Sequence, residues 1–211
     1  MNKIFRNRDF LSERDGKIFV EKIAAESLAR KVGTPLYIYS ENRIRENARR
    51  VKSALAKYVP HSQLFYAVKA NNNLSVLSIL RGENLGADAA GPFEIELAKK
   101  AGFPREKILY SGVFHSDEEL RFGLREKIAV NVDSLSAATR LLEFGKPPLF
   151  SLRVNPGIAG GAIRKLVFAG PDAKFGENLP NTIAAFRLAK KAGVRKFGLH
   201  MMTGSCVLDE N

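Results

Sequence analysis

From residue 63 onward the chain alternates short apolar, β-branched runs with amphipathic stretches, and a polar or charged residue closes nearly every run. The runs Gln63–Lys69, Leu85–Ala90, Ile108–Ser111, Ile128–Asp133, Leu149–Val154 and Phe197–Met202 have the length and residue types of strands. Between them, Leu74–Leu80, Pro92–Ala101, Asp117–Phe122, Ser136–Glu143 and Thr182–Ala192 read as helices, and Pro92 suits a first helical turn. Earlier in the chain, a turn at Gly33-Thr34-Pro35 leads to a strand at Leu36–Tyr39 and a basic helix from Ser40 to Tyr58. Strands alternating with helices predict parallel βαβ units. No glycine fingerprint follows an early strand, which favours an α/β (β/α)8 TIM-like barrel over an open dinucleotide-binding sheet. Lys69, Asp88, Ser111, Asp133, Arg153 and His200 all stand at strand C-terminal ends, where barrels gather their sites. About six of the eight strands that closure requires are countable, so the expectation is an incomplete barrel. Residues 1–40 read as an N-terminal segment with a leading strand, and residues 41–211 as the N-terminal part of the barrel, truncated.

Composition narrows the functional classes. The chain is 45% hydrophobic and 27% charged, a globular balance, and no apolar run has the length of a membrane span. The N-terminus, Met1-Asn2-Lys3-Ile4-Phe5-Arg6, lacks the apolar core of a secretory signal. One cysteine, Cys206, rules out an intrachain disulfide and fits a cytoplasmic setting. Three scattered histidines offer no metal-ligand spacing, so no metal is expected. The formal charge of +12 raises nucleic acid as a partner. The basic residues are interspersed with acids, however, and the densest patch, Arg43 to Lys57, carries Ile44, Val51 and Leu55 near helical spacing. That patch reads as an amphipathic helix with a solvated face, so neither nucleic acid nor a membrane is expected as a partner.

Lys69 ends the run Phe65-Tyr66-Ala67-Val68-Lys69-Ala70-Asn71. A lysine buried at a strand end is expected to lose its proton more readily and can then form a Schiff base with an aldehyde. Taken alone, the same position also suits an ordinary lysine where a strand leaves the core.

That run resembles the cofactor-lysine segment of the fold-type III, alanine racemase-like decarboxylases that use pyridoxal 5'-phosphate. Further segments resemble the same family in order: Gly33 to Tyr39; Gly86-Ala87-Asp88 with Glu94 to Leu97; Asn131-Val132-Asp133-Ser134; Arg153 to Gly157; Lys174-Phe175-Gly176; and Gly198-Leu199-His200 with Gly204-Ser205. The segments from Arg153 and from Lys174 are most similar to the diaminopimelate branch. The resemblance implies that Lys69 is catalytic and holds the cofactor, and that Asp88, Arg153, His200, Met202 and Ser205 bind it. Ser205 with Gly204 is implied to receive the phosphate, and Lys174-Phe175-Gly176 to shape the mouth. The family pattern carries a second histidine, which stacks on the cofactor ring; here that position holds Met202, whose thioether can pack on a ring but cannot donate a proton.

The implied activity is removal of a carboxylate from a diamino acid, meso-diaminopimelate to L-lysine, with ornithine or arginine as the alternative substrate class. The later glycine-rich loop and the C-terminal β domain of the family have no counterpart in the sequence. The expectation is therefore a truncated part, inactive and prone to aggregate alone. It would be completed by a second chain, with a homodimer as the complete form and a small-molecule amino acid as substrate. A non-catalytic remnant and a barrel-only cofactor-binding protein are the alternatives.

Overall fold

The computed structural model describes residues 10–157 and 174–202, in two compact units, Met1–Ser62 and Gln63–Asn211. The first unit opens on an antiparallel three-stranded sheet, β1 (Leu11–Arg14), β2 (Lys17–Val20) and β3 (Ile23–Ala24). The β1–β2 connection is Asp15-Gly16, both at positive φ (50° and 71°), the backbone demanded by a tight hairpin whose twist matches its strands. Two helices follow, α1 (Ala25–Val32) and α2 (Glu41–Tyr58). Ser40 caps α2 by accepting from the Arg43 N–H at 3.0 Å. The Glu21 carboxylate accepts from the Ser40 hydroxyl and, at 2.9 Å, from the Asn42 amide. The helix expected from Ser40 to Tyr58 is present. The strand expected at Leu36–Tyr39 is not, because that stretch pairs with no neighbour among the described residues. The small sheet and α1 are additions to the sequence reading; the Asp-Gly pair was their signal.

The second unit is a curled half-barrel. Six strands lie parallel and in sequential order, β4 (Phe65–Ala67), β5 (Gly86–Ala89), β6 (Ile108–Tyr110), β7 (Ala129–Val132), β8 (Phe150–Val154) and β9 (Phe197–Met201). Helices α3 (Leu74–Gly82), α4 (Pro92–Lys100), α5 (Asp117–Glu126), α6 (Leu135–Phe144) and α7 (Leu179–Lys191) connect them. Each of these helices starts on local chemistry. Asn73, Ser116, Ser134 and Asn178 cap α3, α5, α6 and α7 through their side chains, Ser116 as half of a capping box with Glu119. Helix α4 has Pro92 in its first turn, and the Glu94 carboxylate accepts from the Ala90 N–H at 2.7 Å.

Alternation along the strands gives the sheet two faces. Ala87, Ala89, Ile108, Tyr110, Val130, Val132, Phe150 and Leu152 turn outward, and all are buried in one core with Ile95 of α4, Leu120 of α5, Leu141 of α6 and Ala185 of α7. The other face carries the residues between them. It is apolar low in the sheet and polar at the strand C-terminal ends.

Candidate functional site

The inner face supplies the site. In β5 Asp88 stands between Ala87 and Ala89, so their burial against the helices turns its carboxylate inward, where it accepts a hydrogen bond from the Ser111 hydroxyl just past β6. Asn131 of β7 and Ser151 of β8 are register partners, and the Ser151 hydroxyl donates to Asn131 Oδ1 at 2.8 Å in a buried setting. Asn131 Nδ2 lies 3.2 Å from His200 Nδ1. His200 of β9 is in turn the register partner of Arg153. The Arg153 guanidinium is buried and stands 4.9 Å from the centre of the Phe175 ring. Asp88, Arg153 and His200 therefore belong to one polar row with Ser111, Asn131 and Ser151.

Lys69 is placed differently from expectation. Strand β4 ends at Ala67, the partner of Asp88, and the chain turns through a 3-10 helix, Val68–Ala70. Val68 is fully buried, whereas Lys69 is exposed, so burial does not distinguish this lysine. What distinguishes it is position: an amine two residues beyond the β4 partner of Asp88, at the mouth end of the inner face. Met202 follows β9 and is half-buried, whereas Ser205 and Gly204 lie outside the described residues.

The electrostatics divide the labour of the row. His200 has its pKa lowered, first by burial and then by the Arg153 charge, with Asp88 opposing. Burial also lowers Arg153 against the pull of Asp133, yet a guanidinium stays charged. At neutral pH the row thus holds one fixed cation beside a neutral imidazole.

Asp133 and Lys174 lie at the end of the row beyond Arg153. They line a hollow of about 680 Å3 with His115, Arg140, Asn155 and Glu177. Asp133 accepts from the Phe114 N–H at 3.3 Å. The segment after Lys174 runs beside the end of β8, with the Glu177 N–H donating to the Arg153 carbonyl at 2.9 Å and the Asn155 N–H to the Glu177 carbonyl at 2.8 Å. Gly176, at φ 81°, has no room for a side chain: a Cβ there would stand 2.9 Å from the Asn155 nitrogen. This close approach brings Phe175 over Arg153.

His115 is buried with neither ring nitrogen partnered among the described residues and its edge against Tyr110 at 4.8 Å. Its pKa is lowered chiefly by burial, which outweighs the Asp133 and Glu119 carboxylates. Folded imidazoles that resist protonation bind fewer protons than the unfolded chain below about pH 6.5, so stability is lost as pH falls through that value. The urea midpoint is expected to fall between about pH 7.5 and pH 5.5, and to fall less in His115→Leu. An equal fall in the variant would remove His115 from this account.

The sequence marks Ser111 as a strand-end residue and Asn131 as part of a motif without a role, and leaves Ser151 unmarked. Their signal was available as single polar residues at alternate positions inside apolar strands, in Val130-Asn131-Val132 and Phe150-Ser151-Leu152.

Comparison with known proteins agrees with this geometry. Residues 41–211 match the family described as pyridoxal-dependent decarboxylase, pyridoxal binding domain. The diaminopimelate decarboxylase of Methanothermobacter thermautotrophicus is 40% identical over 195 residues, 92% of this chain and 46% of that protein. That of Thermoplasma acidophilum is 37% identical over 186 residues, 88% of this chain and 45% of that protein. The crystal structure of the Methanocaldococcus jannaschii diaminopimelate decarboxylase in complex with L-lysine superposes with a TM-score of 0.83 at 30% identity, over 95% of this chain and 49% of that one. The chain thus spans about half the length of the relatives it matches. With the parallel half-barrel, the inner polar row and a match over residues 41–211, the chain belongs to the pyridoxal-dependent decarboxylase family, as its pyridoxal binding domain.

Proposed function

We propose that this chain forms the barrel side of a pyridoxal phosphate site that removes a carboxylate from a diamino acid, meso-diaminopimelate, releasing carbon dioxide and leaving L-lysine. The observation that carries the reading is Lys69 at the head of β4 together with the inward row of Asp88, Arg153 and His200. The donor set suits the cofactor. It combines a primary amine for the aldehyde, a permanently charged guanidinium for an anionic ring substituent or phosphate, and a neutral imidazole. When bound, the cofactor supplies an electron sink for the electron pair left when the bond to the carboxylate breaks. Lys69 is the nucleophile that tethers it, and Asp88 and Arg153 hold opposite charges on the inner face. Met202 would offer a thioether to a ring face, and Ser205 a hydroxyl to the phosphate. Lys174-Phe175-Gly176 braces Arg153.

The choice of substrate is supported by the relatives' names and by the lysine held in the related crystal structure. The complete protein is proposed to act as a cytoplasmic homodimer. The test supplies the polypeptide that carries these residues in the cell with pyridoxal phosphate and, separately, meso-diaminopimelate, ornithine and arginine, and measures carbon dioxide release. Diaminopimelate is expected to be consumed fastest, with lysine accumulating. Faster consumption of ornithine or arginine would overturn the substrate assignment and leave the cofactor site standing.

A further inference from the structure

The hydrogen bonds behind His200 bear on which of its nitrogens carries the proton. Ser151 and Asn131 are 5% and 2% exposed, so their side chains meet each other and not water. The Ser151 hydroxyl donates to Asn131 Oδ1 at 2.8 Å, which leaves the amide nitrogen as the group facing His200 Nδ1 at 3.2 Å. An amide NH2 only donates, so Nδ1 must present its lone pair, and a neutral ring then carries its proton on Nε2. Gly198, the register partner of Ser151, keeps this arrangement clear: a Cβ there would stand 3.1 Å from the Ser151 hydroxyl.

We propose that Asn131 and Ser151 are positioning residues that lock His200 as the neutral Nε2–H tautomer, making that nitrogen a hydrogen-bond donor offered to an oxygen acceptor on the ligand of the inner face. The tautomer rests on the protein's own amide and hydroxyl; the acceptor rests on the cofactor reading above. The charged groups facing the ring are Asp88 from β5 and Arg153 from β8, and burial with the Arg153 charge keeps the imidazole neutral. Arg153 thus supplies the charge, and His200 a directed donor that adds none. Met202, two residues on, has no proton to give, so within 198–202 His200 is the sole side-chain donor. The choice of asparagine matters. An aspartate at 131 would accept from both Ser151 and the ring, moving the proton to Nδ1 and favouring the imidazolium.

Three histidines make this measurable by long-range proton–nitrogen correlation on cofactor-free protein with 15N-labelled imidazoles. The His200 signal is assigned by its loss in His200→Gln. Wild type is expected to show the Nε2–H pattern near pH 7. Asn131→Asp is expected to show Nδ1–H or imidazolium, with the titration midpoint raised by about 1–2 pH units. Ser151→Ala, which frees the Asn131 amide, is expected to give mixed tautomers. An Nδ1–H pattern in wild type overturns the proposal even if neither variant folds, and so does an unchanged pattern in both variants. Cofactor affinity is read separately by absorbance titration. Wild type that binds pyridoxal phosphate with an Nδ1–H ring refutes this inference alone, and an Nε2–H ring without cofactor binding refutes only the cofactor reading.

Discussion

Lys69→Ala is expected to abolish the visible absorbance of bound pyridoxal phosphate and to lower decarboxylation by about 10³-fold or more, the scale on which losing a covalent catalytic group acts. Its strength as a test comes from where the residue sits. Lys69 is exposed on a 3-10 turn held by its neighbours: Val68 is fully buried, and Asn71 Oδ1 accepts from the N–H of Asn73, which caps α3. Truncating an exposed side chain on such a turn is expected to change stability by no more than about 0.5 kcal/mol. An unchanged urea midpoint beside a lost absorbance therefore isolates chemistry from folding. Lys69→Arg sharpens the test, because a guanidinium keeps the charge and cannot act as the nucleophile. Both variants are expected to be inactive. Covalently held cofactor in Lys69→Ala would remove Lys69 from its role.

Phe150→Ala is expected to destabilise the second unit by about 3–5 kcal/mol, the range for deleting a fully buried aromatic ring. Phe150 has no exposed surface and meets Phe186 of α7 edge-on at 5.6 Å; Phe186 in turn lies 5.8 Å from Phe197 of β9. Its backbone pairs with Val130 on one side and Phe197 on the other. The ring thus ties the helix layer to three strands whose opposite face carries Asn131, Ser151, Arg153 and His200. Phe150→Leu, which refills part of the space, is expected to lose less. The measurement is urea unfolding of both variants, and a loss in Phe150→Ala below about 1 kcal/mol would mean that the core closes around the gap at little cost.

Much of this architecture was legible in the chain. The apolar runs from Gln63 to Met202 each contain an observed strand, displaced by a residue or two at the ends, because a parallel strand covered by helices must be apolar almost throughout. Helix starts were legible at Pro92 and Asp117, where capping chemistry is local. The first sheet is harder to read because β1 to β3 span only four, four and two residues, too short for a period to stand out even where Ile18-Phe19-Val20 follows the Asp-Gly turn. The strand expected at Leu36–Tyr39 failed for the opposite reason: residues of high β-propensity make a strand only where a neighbour pairs with them.

At the site, residue types alone show which chemistry is on offer, an amine at 69, a carboxylate at 88, a guanidinium at 153 and an imidazole at 200, and the strand ends that carry them. How these groups meet is a matter of the folded chain. Folding exposed Lys69 on a turn, set Asp133 in a hollow with His115 and Arg140, and set Phe175 over Arg153. It also placed Ser151 and Asn131 behind His200. The reason is physical: residue type and periodicity are local properties, whereas hydrogen bonds between residues 131, 151 and 200 exist only once the register of three parallel strands brings distant segments together.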